Sequence, residues 1–140
     1  MKRSTLVTKK FIKENLLQEA KDGKRQLEPL KSFSLANGLP FNILEDKNIS
    51  NRAEIHKTED DLWFCLEGSV EFVYGGEIIN PIFNEANGVK NENEINGDGI
   101  KNGTKITLKK GDWLYIPAGE PHQHSCKKTA RLVIIKIPKK

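Results

Sequence analysis

The sequence predicts an all-β fold, a sandwich or barrel carrying one short helix near its N-terminus. Three observations predict it. From Leu27 onward apolar and polar residues alternate in short runs, the period of a half-buried strand. Gly, Pro, Asn or Asp breaks those runs every few residues, a spacing that many short strands and tight turns require. The 140 residues are enough for one domain with a real core, and no internal repeat or second domain is visible.

Residues 9–22 read as the helix. Phe11, Ile12, Leu16, Leu17 and Ala20 gather on one face, Thr8 can cap the start and Gly23 can stop it. Its apolar stripe is expected to cover an open barrel end or to pack on a second subunit. The candidate strands are 31–36, 40–45, 52–56, 61–67, 69–74, 77–80, 104–108, 112–116, 121–126 and 130–137. Glu67-Gly68-Ser69 and Gly75-Gly76 suit hairpin turns. Residues 81–103 are rich in Asn and Gly and poor in apolar residues, so they read as a mobile surface insertion, a hairpin-tip loop or a lid. The expected organisation is a helical extension over 1–30 and a barrel domain over 31–140, with the loop insertion at 81–103.

Composition narrows the partners. The net charge of +4 is unevenly spread: residues 1–31 carry nine Lys/Arg against four Asp/Glu, and 127–140 carry six basic residues and no acid. No aromatic residues interleave with these bases, so they read as solvated termini and no nucleic-acid partner is expected. No apolar run approaches the ~20 residues that span a bilayer, and Lys9, Lys10 and Lys13 interrupt the N-terminal apolar stretch where a signal peptide would continue. No membrane partner is expected, and a cytoplasmic location is. Cys65 and Cys126 form no CxxC pair and no disulfide framework, which suits reduced thiols.

Two segments carry chemistry. The first runs Glu54-Ile-His56-Lys-Thr-Glu-Asp60-Asp61 and continues to Gly68. The second runs from Gly111 through Pro117 and Gly119 to His122. Positions two apart on a strand share a face. Glu54 and His56 therefore point the same way, as do His122, His124 and Cys126, and Asp61, Trp63 and Cys65 form a third row. All three histidines of the chain lie in these segments or, for His124, two residues past the second. An interior lined by His56, Asp61 and His122 offers two imidazoles and one carboxylate, a set that suits Fe(II), while Zn, Mn, Ni or Cu also accept imidazole. Glu54 is a candidate fourth ligand or a carboxylate beside the site. Asp61 has an alternative as a strand-start acceptor of backbone hydrogen bonds. Glu59 and Asp60 read as turn acids, with Glu59 a reserve ligand if the register slips. His124 is a candidate general base, or a residue of the barrel mouth. Trp63 and Cys126 are candidates for the substrate pocket, and for both, core packing is the simpler reading, as it is for Trp113 and Cys65.

The two segments resemble the signature motifs of the cupin superfamily. The first family motif, G-x5-H-x-H-x3,4-E-x6-G, anchored on Gly68, sets Asp61 at the glutamate, His56 at the second histidine, Glu54 at the first and Asn48 at the leading glycine. The second, G-x5-P-x-G-x2-H-x3-N, is matched by Gly111, Pro117, Gly119 and His122, with Cys126 at the asparagine. The resemblance implies a double-stranded β-helix, or jelly-roll barrel, that binds a divalent metal through Glu54, His56, Asp61 and His122. The acid two residues before the first metal histidine is similar to ring-cleaving cupin dioxygenases of the 3-hydroxyanthranilate type, though no matching arginine clamp is present.

Three functions follow as expectations. The first is a metal-dependent, dioxygenase-like oxidoreductase acting on a small organic molecule. The second is a non-catalytic barrel that binds or senses a small ligand, and the third a sugar isomerase or epimerase with His124 or Glu54 moving the proton. Cupins often pair, so a homodimer is also expected.

Overall fold

The computed structural model describes residues 2–140. Its elements, in chain order, are α1 (Lys9–Asn15), β1 (Gly23–Gln26), α2 (Leu30–Asn37), β2 (Phe41–Ser50), β3 (Ala53–His56), β4 (Glu59–Glu67), β5 (Ser69–Tyr74), β6 (Glu77–Ile79), β7 (Ile82–Ala86), β8 (Val89–Gly97), β9 (Gly99–Lys101), β10 (Thr104–Lys109), β11 (Trp113–Ile116) and β12 (His122–Pro138). Among the described residues no helix is long and apolar enough to cross a membrane.

The barrel is organised around β12, whose 17 residues join the two candidate strands expected at 121–126 and 130–137. Its first part lies beside β3 and β5, and its second part lies between β2 and β4. Where it passes from one set of neighbours to the other, its register with β2 shifts between Cys126 and Thr129, the extra residues that let a strand turn a corner. All of these pairings are antiparallel. The sheet therefore folds over on itself as a jelly roll and encloses Leu44, Trp63, Cys65, Val70, Phe72, Leu108, Ile116, Leu132 and Ile134. The expected inward row of β4 is observed: Asp61, Trp63 and Cys65 are all buried.

Gly68 does not make a hairpin. β4 and β5 do not pair with each other, and both lie along β12. Gly68 (φ +73°) is the corner between them, facing the β12 irregularity so closely that a Cβ would meet Thr129 O at 2.1 Å. Gly75 and Gly76 likewise lead out of β5 into β6, whose partner is β9 in a separate two-stranded sheet.

The N-terminal region departs from expectation in three ways. The helix ends at Asn15 instead of continuing to residue 22, although Thr8 caps it as expected, accepting the Phe11 N–H. The Asn15 side chain turns back to the Phe11 carbonyl and accepts the Leu30 N–H at 2.8 Å. The carbonyls of Leu16 and Gln18 then accept from Arg131 at 2.6 and 2.5 Å, outside any helical ladder. Second, residues 31–36, expected as a strand, belong to α2. Glu28 accepts the Ser32 N–H at 2.7 Å in its first turn, and Gly38 ends it in the left-handed conformation. Third, β1 pairs with β2, so the extension contributes a strand to the barrel as well as a helix. Together α1 and α2 cover the outer face of β2 with Leu27, Leu30 and Ile43 as the centre, and Phe11 meets Phe33 at 5.0 Å.

The insertion at 81–103 is not a loop. β7 and β8 form a hairpin over most of it, and β8 also pairs with β3, His56 lying opposite Glu94. Asn and Gly lowered its apparent strand content, but most of its exposed positions need no apolar residue. Trp113 is also misjudged as core. It is 60% exposed, because Leu114 and Ile116 take the inward positions of β11 and Trp113 stacks outside on Phe64.

Candidate metal centre

The two motif segments meet at one end of the barrel because backbone and side-chain bonds tie their turns together. Asp60 accepts the Ala118 N–H at 2.7 Å and the Tyr115 hydroxyl at 2.8 Å. The Gly119 N–H donates to the His56 carbonyl at 2.8 Å. These bonds hold the Asp60 carboxyl below its ordinary range, the Ala118 N–H most of all and then Tyr115. The expected turn acid is thus the clip that docks the Pro117–Gly119 turn onto the β3–β4 turn. His122, which opens β12 directly after that turn, lies opposite Glu54 on β3.

Four side chains converge there. His56 Nε2 lies 3.2 Å from Glu54 Oε2 and 3.6 Å from Asp61 Oδ2. His122 Nε2 lies 3.7 Å from Glu54 Oε2 and 3.5 Å from Asp61 Oδ2. Ligand atoms of Glu54, His56 and His122 all fall within 4.8 Å of one another. The two imidazole rings are 5.0 Å apart.

The electrostatics favour a cation. His122 Nε2 and Asp61 Oδ2 are buried without a hydrogen-bond partner, an arrangement that is costly unless something else satisfies both. A metal ion bound by Nε2 and Oδ2 together would do so, and the donor set of two imidazoles and two carboxylates fits one. Burial pushes the His122 imidazole below its usual range, His56 adds to this, and Asp61, the Glu120 carbonyl and Glu54 oppose it. Burial would raise the Glu54 carboxyl, but the hydrogen bond with His56 and the charges of Lys24, His56 and His122 outweigh it and hold it at about 2. A neutral imidazole and an ionised carboxylate are the protonation states that metal binding needs.

The remaining expected site residues divide. Trp63 and His124 line the same small cavity as Glu54, His56 and Asp61. The His124 ring packs between Trp63 and Phe72 at 5.4 and 5.2 Å, and its Nε2 lies 3.0 Å from Asp46 Oδ2 and 3.0 Å from Asn51 Nδ2. Cys126 does not line this cavity. It is buried in the core, its thiol directed to the Ser69 carbonyl at 3.5 Å, because β12 begins its irregularity at that residue. Burial raises its thiol pKa, as it does for Cys65, so both are small buried apolar groups.

Sequence reasoning missed four residues around the site. Lys136 Nζ lies 2.6 Å from Asp61 Oδ1. Glu94 Oε1, on the insertion hairpin, lies 3.7 Å from His56 Nδ1. Asp46 is fully buried beside His124, and Lys24 lines the cavity from β1. Lys136 shares a face with Ile134, and that period-two step was the available signal for it.

No family model and no curated protein matches the chain. Among solved structures, the EutQ protein of Clostridium difficile aligns at 17% identity over 70% of this chain and 55% of its own, with a TM-score of 0.44. The Drosophila melanogaster CENP-C cupin domain aligns at 12% identity over 72% and 58%, with a TM-score of 0.49. A predicted oxalate decarboxylase of Thermotoga maritima aligns at 14% identity over 83% and 79%, with a TM-score of 0.48. The chain thus spans less than two thirds of the EutQ and CENP-C chains. The fold is a cupin-type barrel, as its own strand pairing and the meeting of the two motif segments at one end of it establish.

Proposed function

We propose that this protein is a metal-dependent enzyme that holds a divalent transition metal, Fe(II) in preference to Zn, Mn, Ni or Cu, with His56, His122, Asp61 and Glu54, and performs a dioxygenase-like oxidation of a small organic molecule. One observation carries the reading: His122 Nε2 and Asp61 Oδ2 are buried, lack hydrogen-bond partners and face each other at 3.5 Å. Two imidazoles and a carboxylate that leave coordination positions open are the donor pattern of non-haem iron oxygenases.

A bound metal would supply Lewis acidity and a place for substrate or oxygen. The chain's own residues supply the rest. Lys136 neutralises the second oxygen of Asp61 and keeps that carboxylate oriented. His124 lines the same cavity beside Asp46 and is the candidate proton-transfer group there. Trp63 walls the cavity with apolar surface. The two buried free thiols suit a reducing compartment such as the cytoplasm.

The test is elemental analysis of protein purified without chelator or affinity-tag metal, followed by Fe(II) titration and oxygen-uptake assays. About one equivalent bound per chain, and substrate-dependent oxygen uptake, are expected. Less than about a tenth of an equivalent with no uptake on titration overturns the reading.

A second reading is a non-catalytic binding or sensing barrel. It is favoured by Lys136, which already gives Asp61 a cation at 2.6 Å. It predicts ligand-dependent thermal stabilisation without turnover.

A further inference from the structure

We infer that the ligand of this cavity is a small monoanion, a short carboxylate, admitted past Lys24 and held between Lys24 and the metal. The inference rests on the metal reading above and adds to it the class of molecule the site takes.

Size sets the first limit. The cavity that contains Glu54, His56 and Asp61 has a volume of about 180 Å³. It lies below the ~300 Å³ at which pockets for drug-sized ligands begin, which favours a ligand of a few non-hydrogen atoms. A wider groove of about 890 Å³ runs along the β7–β8 hairpin, but of the metal residues it touches only Glu54.

Charge sets the second. The small cavity is lined by three carboxylates, Glu54, Asp61 and Glu94, and two ammonium groups, Lys24 and Lys136. Without a metal it carries one net negative charge. A divalent cation turns that into one net positive charge, since imidazoles bind metals in the neutral form. Lys24 holds part of that surplus at the solvent edge of the cavity, where a single carboxylate can pair with it by a charge-assisted hydrogen bond.

The placement of the lysines sets the third. Lys136 is committed to Asp61. No carboxylate among the described residues lies within ion-pairing distance of Lys24, which is exposed at the end of β1 where the strand borders the cavity. A solvent-facing ammonium beside a metal site attracts anions as they approach and contributes a charge-assisted hydrogen bond once they arrive. Leu44, Trp63 and Ile134 also line the cavity and suit a short apolar body behind the carboxylate.

The experiment uses the full chain and two separate readouts. Co(II) uptake is measured first by calorimetry. Acetate, propionate, butyrate and octanoate, and the amides of the first three, are then titrated into the Co(II)-loaded protein. The three short carboxylates are expected to bind at least about tenfold tighter than their amides and than octanoate. Lys24→Gln, at an exposed position, is expected to weaken carboxylate binding about tenfold, with Lys24→Arg restoring it to within about twofold. Co(II) affinity should hold or rise in Lys24→Gln, because a cation beside Glu54 has been removed. Equal binding of carboxylates and amides, octanoate as the tightest ligand, or an inert Lys24→Gln overturns the inference and leaves the metal reading standing. Failure to take up Co(II) overturns the metal reading and, with it, the positive surplus on which this inference stands.

Discussion

Lys136 Nζ lies 2.6 Å from Asp61 Oδ1, while the other oxygen of the same carboxylate faces His56 and His122. The Asp61 side chain is 1% exposed and that of Lys136 is 37% exposed. The lysine is therefore the water-facing partner of a buried charge. Removing it as Lys136→Met leaves Asp61 Oδ1 without its donor in the metal-free protein. The expected loss is about 1–3 kcal/mol by urea denaturation, the cost of an unsatisfied buried group. Saturating divalent metal should shrink that loss, because it binds the native state and supplies Asp61 with a new cation. No change in the urea midpoint would make the pair no more consequential than a surface ion pair.

Glu94 joins the insertion hairpin to the site. Its Oε1 stands 3.7 Å from His56 Nδ1, on the side of the ring away from Asp61. At that distance the carboxylate makes no hydrogen bond, but its charge favours a proton on Nδ1 once a metal replaces the contact of Nε2 with Glu54. Glu94→Gln should cost about tenfold in Co(II) affinity, while His56→Gln should exceed the ~100-fold upper range of such outer partners. Titration of both variants separates the roles. Wild-type affinity in Glu94→Gln would make the hairpin a bystander.

The parts that were legible in the sequence, and those that were not, follow from what strand periodicity can express. It placed Asp61, Trp63 and Cys65 on one inward row and His122 and His124 on another, because each row belongs to a single regular strand. Even Asn48, at the leading glycine position of the first motif, takes the left-handed backbone (φ 53°) that such a position requires. Periodicity fails on β2, where Ile43, Leu44, Glu45 and Asp46 are buried in succession. One face of that strand meets the barrel core and the other meets the helices, so no alternation marks either. Nothing in the pattern marks the two buried acids there, Glu45 and Asp46. Lys136 escaped for the converse reason: a charge on an inward face contradicts the pattern unless its partner, 75 residues earlier, is known. The hairpin of β7 and β8 was hidden because few of its side chains are buried, leaving no apolar alternation to detect.

Glu45 is the hub on the helix side of β2. Arg25 reaches its Oε2 at 2.5 Å, and Arg131 reaches its Oε1 at 2.9 Å while also holding the carbonyls of Leu16 and Gln18. Arg131→Met should cost about 3–5 kcal/mol, since it leaves Oε1 of a fully buried carboxylate without its donor while Arg25 and the Lys21 N–H hold only Oε2. The urea midpoint and the loss of helical signal in the N-terminal segment measure it. An unchanged midpoint would mean that α1 docks by apolar contact alone.

The same hub sets a pH dependence. Burial would raise the Glu45 carboxyl, but the hydrogen bonds from Arg25, Arg131 and the Lys21 N–H outweigh it, and the group lies below its ordinary 4.5. Asp60 lies below 3.8 for the reasons given by its bonds to Ala118 and Tyr115. When the folded pKa lies below the unfolded one, the unfolded state binds the extra proton. The stabilisation is then complete above the unfolded value and is lost as pH falls toward the folded one. From these groups, stability should be flat between about pH 5.5 and 7 and fall once the pH drops below about 4.5. Glu45→Gln should begin less stable near neutrality and fall less steeply in acid. A parallel decline in the two proteins would remove Glu45 from the account.

Gly68 and Gly119 separate backbone conformation from space. Both have positive φ, +73° and +88°. A Cβ on Gly119 meets nothing within 4 Å, whereas one on Gly68 meets Thr129 O at 2.1 Å and Ala130 Cα at 3.1 Å. Gly119→Ala therefore incurs only the left-handed strain, about 1–2 kcal/mol. Gly68→Ala adds an overpacking term against main-chain atoms that cannot rotate away, for a total of about 2–5 kcal/mol. Those atoms sit where β12 turns from β5 toward β4, between His122 at one end and Arg131 at the other. Gly68→Ala should accordingly weaken Co(II) binding as well as stability, although residue 68 is no ligand. Calorimetric titration and urea denaturation of the two alanine variants test this together. A Gly119→Ala protein less stable than Gly68→Ala would mean that the β4–β5 corner yields freely and does not set the spacing of the site.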